Sequence, residues 1–557
     1  MSGRRLCLNR QNRLFCAEPE GIVEGIGGPS IRWHKSSFDG SLQPYALYTP
    51  PSYDSSRSWP LVVSLHGYSC DHVLNLRRVM GRGNSFDEPD CEAKLCIPKL
   101  PDVDFIVASP YAFGSLGYQG AAEVDVLDVI ADVRANFNID EDMIYLTGLS
   151  MGGRGAWILS ERYPDLFAAV APVCGPVGFA RWDYTTRPLP QFALDIFSAR
   201  VPEAMASNLM HVPVKVFHGD SDEVVPVDHS RRMVELLRQM GCHVEYVEYQ
   251  GVYHNSWDMA YSGGDLFRWF SNFRRVKKPK SVDFVTPSLR WQSAYWVRIE
   301  QIAERPKPAR IRADILETAE ESKVLVRVVT DNVKSFTLDP VLWPIEPNDE
   351  VVILWNGEEV FEGRVSEKLT FGDIETGFRK RAGIEGPVCD AFMGRHLIVY
   401  GAGGGRELAN ACREAAYMLA DPGEWGDIDT PVKSCSHVTK NDISSYNLIL
   451  IGNQFTSSLI RRVNNYLPVR FDGKWVQAGR RLYEGGDMGL IVIYFNPLNP
   501  ERYVVVLGGH SPNTIMMAAE NARIAPDYVV FDAGSDFSRQ DTLLDWGFFD
   551  NSWGISR

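Results

Sequence analysis

Apolar runs separated by amphipathic stretches set the first reading of the chain. "YALYTP" (45–50) reads as an edge strand closed by Pro50-Pro51. "LVVSLHG" (61–67) and "FIVASP" (105–110) are short, continuous and rich in β-branched residues, the pattern of strands buried on both faces. Val126, Ile130, Val133 and Phe137 then recur at helical spacing and form one apolar stripe. "MIYL" (143–146), "FAAVAPVCG" (167–175) and "VKVFHGD" (214–220) are further buried strands, a helix is expected over about 227–240, and "HVEYVEYQG" (243–251) follows. Strands alternating with helices predict a mostly parallel sheet covered on both faces. This α/β domain spans 36–280, after an N-terminal extension over 1–35.

The pattern changes after the basic run Arg274-Arg275-Val276-Lys277-Lys278-Pro279-Lys280, which reads as a solvated linker. "RIRADIL", "KVLVRVV" and "VVILWNGEEVFEGRV" alternate with period two, and Asn356-Gly357 signals a hairpin turn, so a small antiparallel β domain is expected over 285–385. From His396 the strand–helix rhythm returns: "HLIVYG", the helix "RELANACREAAYMLA", "NLILIG", "LIVIYF", "YVVVLGG", a helix near 514–522 and "YVVFDA". A C-terminal α/β domain is expected over 390–557. A chain of 557 residues is too long for one core, so several domains are the natural reading.

Charge narrows the partners. With 57 basic against 71 acidic residues the formal charge is −14, which argues against nucleic acid or an anionic membrane as partner. No apolar run approaches the roughly 18 residues of a membrane span, and the first residues show no continuous apolar h-region. The ten cysteines show no metal-ligand spacing; Cys91 and Cys96 are near enough in sequence to pair, although free thiols are the plainer reading. No metal or organic cofactor is expected.

The candidate chemistry lies in "MIYLTGLSMGGRGAWIL" (143–159). Gly148-Leu149-Ser150-Met151-Gly152 matches G-x-S-x-G where an apolar strand meets a helix that Pro164 ends. A serine at the apex of so sharp a turn needs glycine two positions to either side, and its oxygen stands over the helix N-terminus. Such a serine needs a base and a carboxylate that orients the base. Two loops at strand ends offer them, "HGDSDEVVP" (218–226) and "GVYHNSW" (251–257). In the first, Asp222 is favoured because it stands out in the turn, whereas Asp220 can shape the turn itself. In the second, His254 is favoured over His229, on a helical pattern, and His243, at a strand start; both of these read as surface residues. Trp257 and Asp258 could brace His254 or begin the next helix. The order Ser, Asp, His is that of the α/β-hydrolases. An oxyanion hole would use the backbone N–H groups of Met151 and of Tyr68, after "LVVSLHG"; His66 reads as a structural hydrogen-bonder.

Taken together, "LVVSLHGYS", "IYLTGLSMGGRGAW", "FAAVAPVCG", "HGDSDEVVP" and "GVYHNSW" resemble the α/β-hydrolases classed as feruloyl or acetyl esterases, polyhydroxybutyrate-depolymerase-like esterases and peptidases of the prolyl-oligopeptidase superfamily. The resemblance covers about 43–273. It implies Ser150 as nucleophile, Asp222 as acid, His254 as base, and an oxyanion role for the Tyr68 loop. The long segment 70–104 departs from the family and could raise a rim over the site. The segment "GIEGPVCDAFMGRHLIVYG" is similar to C-terminal extensions of some bacterial multidomain members. A serine carboxylesterase acting on a small or polysaccharide-linked acyl ester is the leading expectation. A serine peptidase on the same scaffold is the second. The third is a nucleotide- or carbohydrate-binding role led by the C-terminal domains, through "YGAGGGRELA" or through Trp343 and Trp355. The first glycine motif lacks its last glycine, Arg406 standing in that place.

Overall fold

The computed structural model describes residues 7–8, 14–15, 27–178, 188–317, 323–347, 349–373, 377–423, 426–472 and 474–555. Of the expected N-terminal extension over 1–35, residues 7–8, 14–15 and 27–35 are described, the last of these joining the sheet below, and Cys16 lies outside the described residues. The chain divides into two compact units, one of 1–178 and 206–277, the other of 179–205 and 278–557.

The first unit is built on an eight-stranded sheet. Its strands are β1 (Gly28–Lys35), β2 (Leu42–Thr49), β3 (Trp59–Leu65), β4 (Ile106–Pro110), β5 (Ile139–Leu149), β6 (Ala169–Val173), β7 (Val214–Gly219) and β8 (Val244–Tyr249), in the order β8-β7-β6-β5-β3-β4-β2-β1. Strands β3 to β8 pair in parallel, and β1 and β2 run antiparallel at one edge. The "YALYTP" strand is therefore not the edge. Strand β1, "GPSIRWHK", covers it, and only two of its eight residues, Ser30 and His34, are buried, too faint an apolar signal to announce a strand. Strands β4 and β6 are buried throughout and β3 at every position but Pro60, as their apolar runs require.

Four helices of eight or more residues pack on this sheet: α1 (His72–Val79), α2 (Ala121–Asn136), α3 (Met151–Arg162) and α4 (Asp228–Gln239). Helix α2 buries Val126, Ile130 and Val133 of the expected stripe, with Val129 beside them, whereas Phe137 is the extended C-cap residue just past its end. The long excursion over 70–104 is organised from within. Arg77 donates to the Ala93 carbonyl (2.6 Å) and to Glu88 (2.7 Å), and Arg78 to Asp90 (2.6 Å).

The second unit holds two β sheets over 281–372, a seven-stranded sheet over 396–547 and a small three-stranded sheet. Asn356 and Gly357, both at positive φ, make the expected hairpin between Glu350–Trp355 and Glu358–Gly363. The β region is not wholly antiparallel, because Lys323–Asp331 pairs in parallel with Glu350–Trp355. The β region and the α/β region keep separate apolar cores. Buried polar contacts tie them into one unit: Glu385 accepts from Leu289 N (2.9 Å) and pairs with Arg305, while Asn551 donates to the Ile302 carbonyl (2.8 Å). Residues 188–205 also belong here, not to an unbroken hydrolase domain over 36–280. Phe192, Ala193, Ile196 and Phe197 are buried in the same core as Val388 and Leu397.

Two C-terminal expectations resolve into packing. The loop "GAGGG" does lie between the strand His396–Tyr400 and the helix Arg406–Ala420. Its glycines are needed because Thr456 and its neighbour crowd it: a Cβ at Gly401 would sit 2.5 Å from the Thr456 hydroxyl, and one at Gly403 2.9 Å from the Phe455 carbonyl. Trp343 is buried beside Trp296, and Trp355 sits edge-on to Phe336 while donating to Thr330 (2.9 Å). No described helix is long and apolar enough to cross a membrane.

Candidate active site

Strand β5 runs straight into α3 through a single residue, Ser150, at φ 55° and ψ −115°. A non-glycine residue in that region is strained, so the turn must be held from outside. It is held by the Ser150 N–H, which donates to the Val173 carbonyl at 2.9 Å, and by close approach of the flanking backbone. A Cβ on Gly148 would lie 2.3 Å from the Gly152 carbonyl oxygen, and one on Gly152 only 2.1 Å from that of Leu65. Ser150 stands at the N-cap of α3 but its side chain caps nothing, which leaves the hydroxyl free to point away from the helix.

The base arrives from the loop after β8. Gly219, the last residue of β7, has the carbonyl oxygens of Val252 and Tyr253 at 2.1 and 2.7 Å from where a Cβ would be. Only glycine lets the two loops press together there. Asp220 fastens them, its carboxylate accepting from the Gly251 N–H at 2.7 Å. Asp220 therefore braces one loop against the other, and it is Asp222 that shapes its own turn, accepting from the Val224 and Val225 N–H groups. Asp222 reaches inward: its Oδ2 is 2.7 Å from His254 Nδ1, and His254 Nε2 is 2.9 Å from Ser150 Oγ. The structure brings Ser150, His254 and Asp222 into one hydrogen-bonded line.

Burial alone would raise the Asp222 pKa. Hydrogen bonds from His218 and His254 and from the Val225 N–H outweigh it and hold the carboxyl well below the usual carboxylate range. The acid is therefore ionised whenever the histidine works. His254 keeps 19 % of its side chain exposed, so the proton relay opens to substrate and water while its acid end is sealed. Trp257 packs edge-on against the imidazole, centroids 5.3 Å apart, and also begins a short helix, Trp257–Ala260. Asp258 turns elsewhere and accepts from Asn255.

The other candidates separate cleanly. His66 is buried, with its ring nitrogens 2.8 Å from the Gly67 carbonyl and 3.0 Å from that of Tyr111. His243 is exposed beside Glu245. His229 is not a plain surface residue, since the Val177 and Gly178 N–H groups approach its Nδ1 at 3.3 and 3.4 Å from the loop after β6. Met151 opens α3, so its N–H is one of the unpaired helix-start donors beside the serine. Gly67, before Tyr68, lies against the elbow: a Cβ there would be 3.7 Å from the Ser150 Cβ. The Tyr68 side chain is exposed.

Two groups escape a reading of the sequence. His218, at the end of β7, is buried against Asp222 and against Ser230. Cys174, whose thiol burial pushes up to about 12, lies behind the histidine and donates to the His254 carbonyl at 3.4 Å. Its sulfur comes within 4.8 Å of side-chain atoms of Asp222 and His254. Those two groups are already bonded to each other, and we assign no metal there. A histidine near the end of the strand "VKVFHG", directly ahead of the loop that carries Asp222, is the one signal that marks His218.

A profile of the prolyl oligopeptidase family matches residues 114–274, which include the elbow and both partner loops. The chain is similar to an uncharacterised secreted protein of Arthroderma benhamiae, 26% identical over 578 residues; the match takes in 95% of this chain but 59% of that protein. The chain thus spans about three fifths of that relative's length. A stretch of 57 residues, 10% of this chain and 14% of its counterpart, is 37% identical to a poly(3-hydroxyalkanoate) depolymerase of Paucimonas lemoignei. Among solved structures, a thermostable esterase aligns over 44% of this chain and 63% of its own, at 25% identity and a TM-score of 0.31. The strand order above, with a serine at the apex between β5 and α3, is that of the α/β-hydrolase fold, and the matched residues carry its elbow and both partner loops.

Proposed function

We propose that the protein is a serine carboxylesterase. The observation that carries this reading is the line from Ser150 Oγ through His254 to Asp222, with contacts of 2.9 and 2.7 Å. Ser150 attacks the ester carbonyl as His254 takes its proton; Asp222 holds the imidazole in the tautomer that presents Nε2 as acceptor. The oxyanion that forms is met by the N–H groups of Met151 and Tyr68. His254 then returns the proton to the departing alkoxide, and water repeats the sequence on the acyl-enzyme. No cofactor enters these steps.

Two features favour an ester with an aromatic or otherwise apolar acyl group. Tyr68, in the expected oxyanion loop, and Tyr253, next to His254 in sequence, are 55% and 62% exposed and offer flat apolar surface. The name of the matched depolymerase also denotes a polyester substrate. A peptidase is the second reading, favoured by the prolyl oligopeptidase profile over 114–274.

Methyl ferulate, p-nitrophenyl acetate and a proline-containing amide, assayed in parallel with wild type and Ser150→Ala, test the two. The ester reading expects turnover of at least one ester, a loss of about three or more orders of magnitude in the variant, and little action on the amide. Preferential cleavage of the amide would transfer the site to the peptidases.

A further inference from the structure

Resting on that reading of Ser150, His254 and Asp222, we propose that His218 is a positioning residue of the proton relay: it holds the Asp222 carboxylate in the one orientation that serves His254. His218 is fully buried at the end of β7. Its Nε2 lies 3.1 Å from Asp222 Oδ2 and 2.9 Å from the Val225 carbonyl, and its Nδ1 lies 2.7 Å from Ser230 Oγ. An ionised carboxylate and a carbonyl can only accept, so Nε2 carries the hydrogen. Nδ1 is then the acceptor, and the Ser230 hydroxyl donates to it. Ser230, on α4, thereby selects the tautomer.

The result is a carboxylate with its positions filled. Asp222 Oδ1 accepts from the Val224 and Val225 N–H groups at 2.9 Å each. Oδ2 accepts from His254 and from His218 together. The carboxylate cannot rotate, and the charge it offers His254 is shared with a second donor. The other titratable groups facing the pair are the Cys174 thiol, from the end of β6, and Glu248, beside His218 on β8. Neither donates to Asp222 Oδ2, so neither replaces His218.

Removing the second donor has two consequences of known direction. Asp222 gains freedom to turn, which lowers kcat. Its charge also falls more fully on His254, which favours the imidazolium and moves the acid limb of kcat/KM to higher pH.

The test compares His218→Leu, which keeps bulk without a donor, His218→Gln, whose amide nitrogen can stand near the Nε2 position, and Ser230→Ala. Rates of p-nitrophenyl acetate hydrolysis are followed against pH, with thermal unfolding as the check on folding. His218→Leu is expected to lose about 10- to 100-fold in kcat with KM nearly unchanged, and to shift the acid limb upward by about half a pH unit or more. His218→Gln should recover most of both, and Ser230→Ala should shift the limb the same way by less. Should His218→Leu fail to fold, the Gln and Ala variants still decide: a wild-type acid limb in Ser230→Ala, with His218→Gln no better than an inactive protein, overturns the proposal. So does a folded His218→Leu with wild-type kcat and acid limb. Ser150→Ala in the same series separates the two levels. Turnover that survives in it removes the underlying reading, whereas its loss beside silent His218 variants removes only the positioning role.

Discussion

Asp220 and Asp222 stand one residue apart in one loop, and the fold gives them opposite tasks. Asp220 spends its carboxylate on the Gly251 N–H and so fixes the distance between two loops. Asp222 turns under His254 and is held ionised there by the hydrogen bonds it accepts. Their substitutions should part accordingly. Asp222→Asn leaves the loop in place but permits the wrong imidazole tautomer, and is expected to lower kcat by about 10³- to 10⁴-fold. Asp220→Asn keeps an acceptor oxygen for Gly251 and should cost about tenfold or less. Ester hydrolysis by the two purified variants checks this; equal losses would contradict it. At this scale the sequence is informative where chemistry fixes spacing. G-x-S-x-G and the order of the partner loops pointed to Ser150, Asp222 and His254. His218 stayed hidden because its part depends on the register that sets it opposite Glu248 and on the depth at which β7 ends.

Elements carry the strain that the site needs. The elbow between β5 and α3 holds Ser150 in a conformation few side chains adopt, and it does so by denying space at Gly148 and Gly152. Gly152→Ala would drive a Cβ into the Leu65 carbonyl, so β3 and α3 must separate, at a cost of about 3 kcal/mol or more together with loss of activity. Gly241 makes the contrast: its φ is 75° with open space around it, so Gly241→Ala should cost about 1 kcal/mol and leave kcat unchanged. Chemical denaturation and ester assays on both variants give the comparison, and equal effects would show that crowding at the elbow is not what makes its glycine necessary. The strands of the parallel sheet were legible as apolar runs and the helices by their spacing. What was not legible is pairing that skips along the chain. Lys323–Asp331 meets Glu350–Trp355 in parallel because the strand between them, Val333–Leu338, leaves for the other sheet. Strand β1 has too few buried positions to be read at all.

Across the whole molecule, two buried histidines make stability depend on pH. Burial lowers the pKa of His72 in the first unit and of His396 in the second to about 4. In the unfolded chain each titrates near 6.5. Between pH 6.5 and 4 the unfolded state therefore binds more protons, and stability falls as the pH drops through that window. The full effect is about 3 kcal/mol for each histidine. Urea unfolding at intervals from pH 7.5 to 4.5 should show the decline, and Phe at either position should flatten its unit's share. A midpoint that holds steady or rises toward acid would contradict it. Length calls for several domains but does not say which segments share a unit: the apolar face of 191–198 decides that this segment belongs to the second unit, and a face shows no partner until the chain is folded.

The central claim is that Ser150 is a nucleophile activated by His254 and Asp222. The most direct measurement is intact-mass and peptide-mass analysis of the full chain after reaction with a fluorophosphonate, which bonds covalently to an activated serine. The account predicts one adduct per chain, on the peptide that contains Ser150, formed far more slowly in His254→Ala and absent in Ser150→Ala. An unmodified chain, or an adduct on another residue, would contradict it.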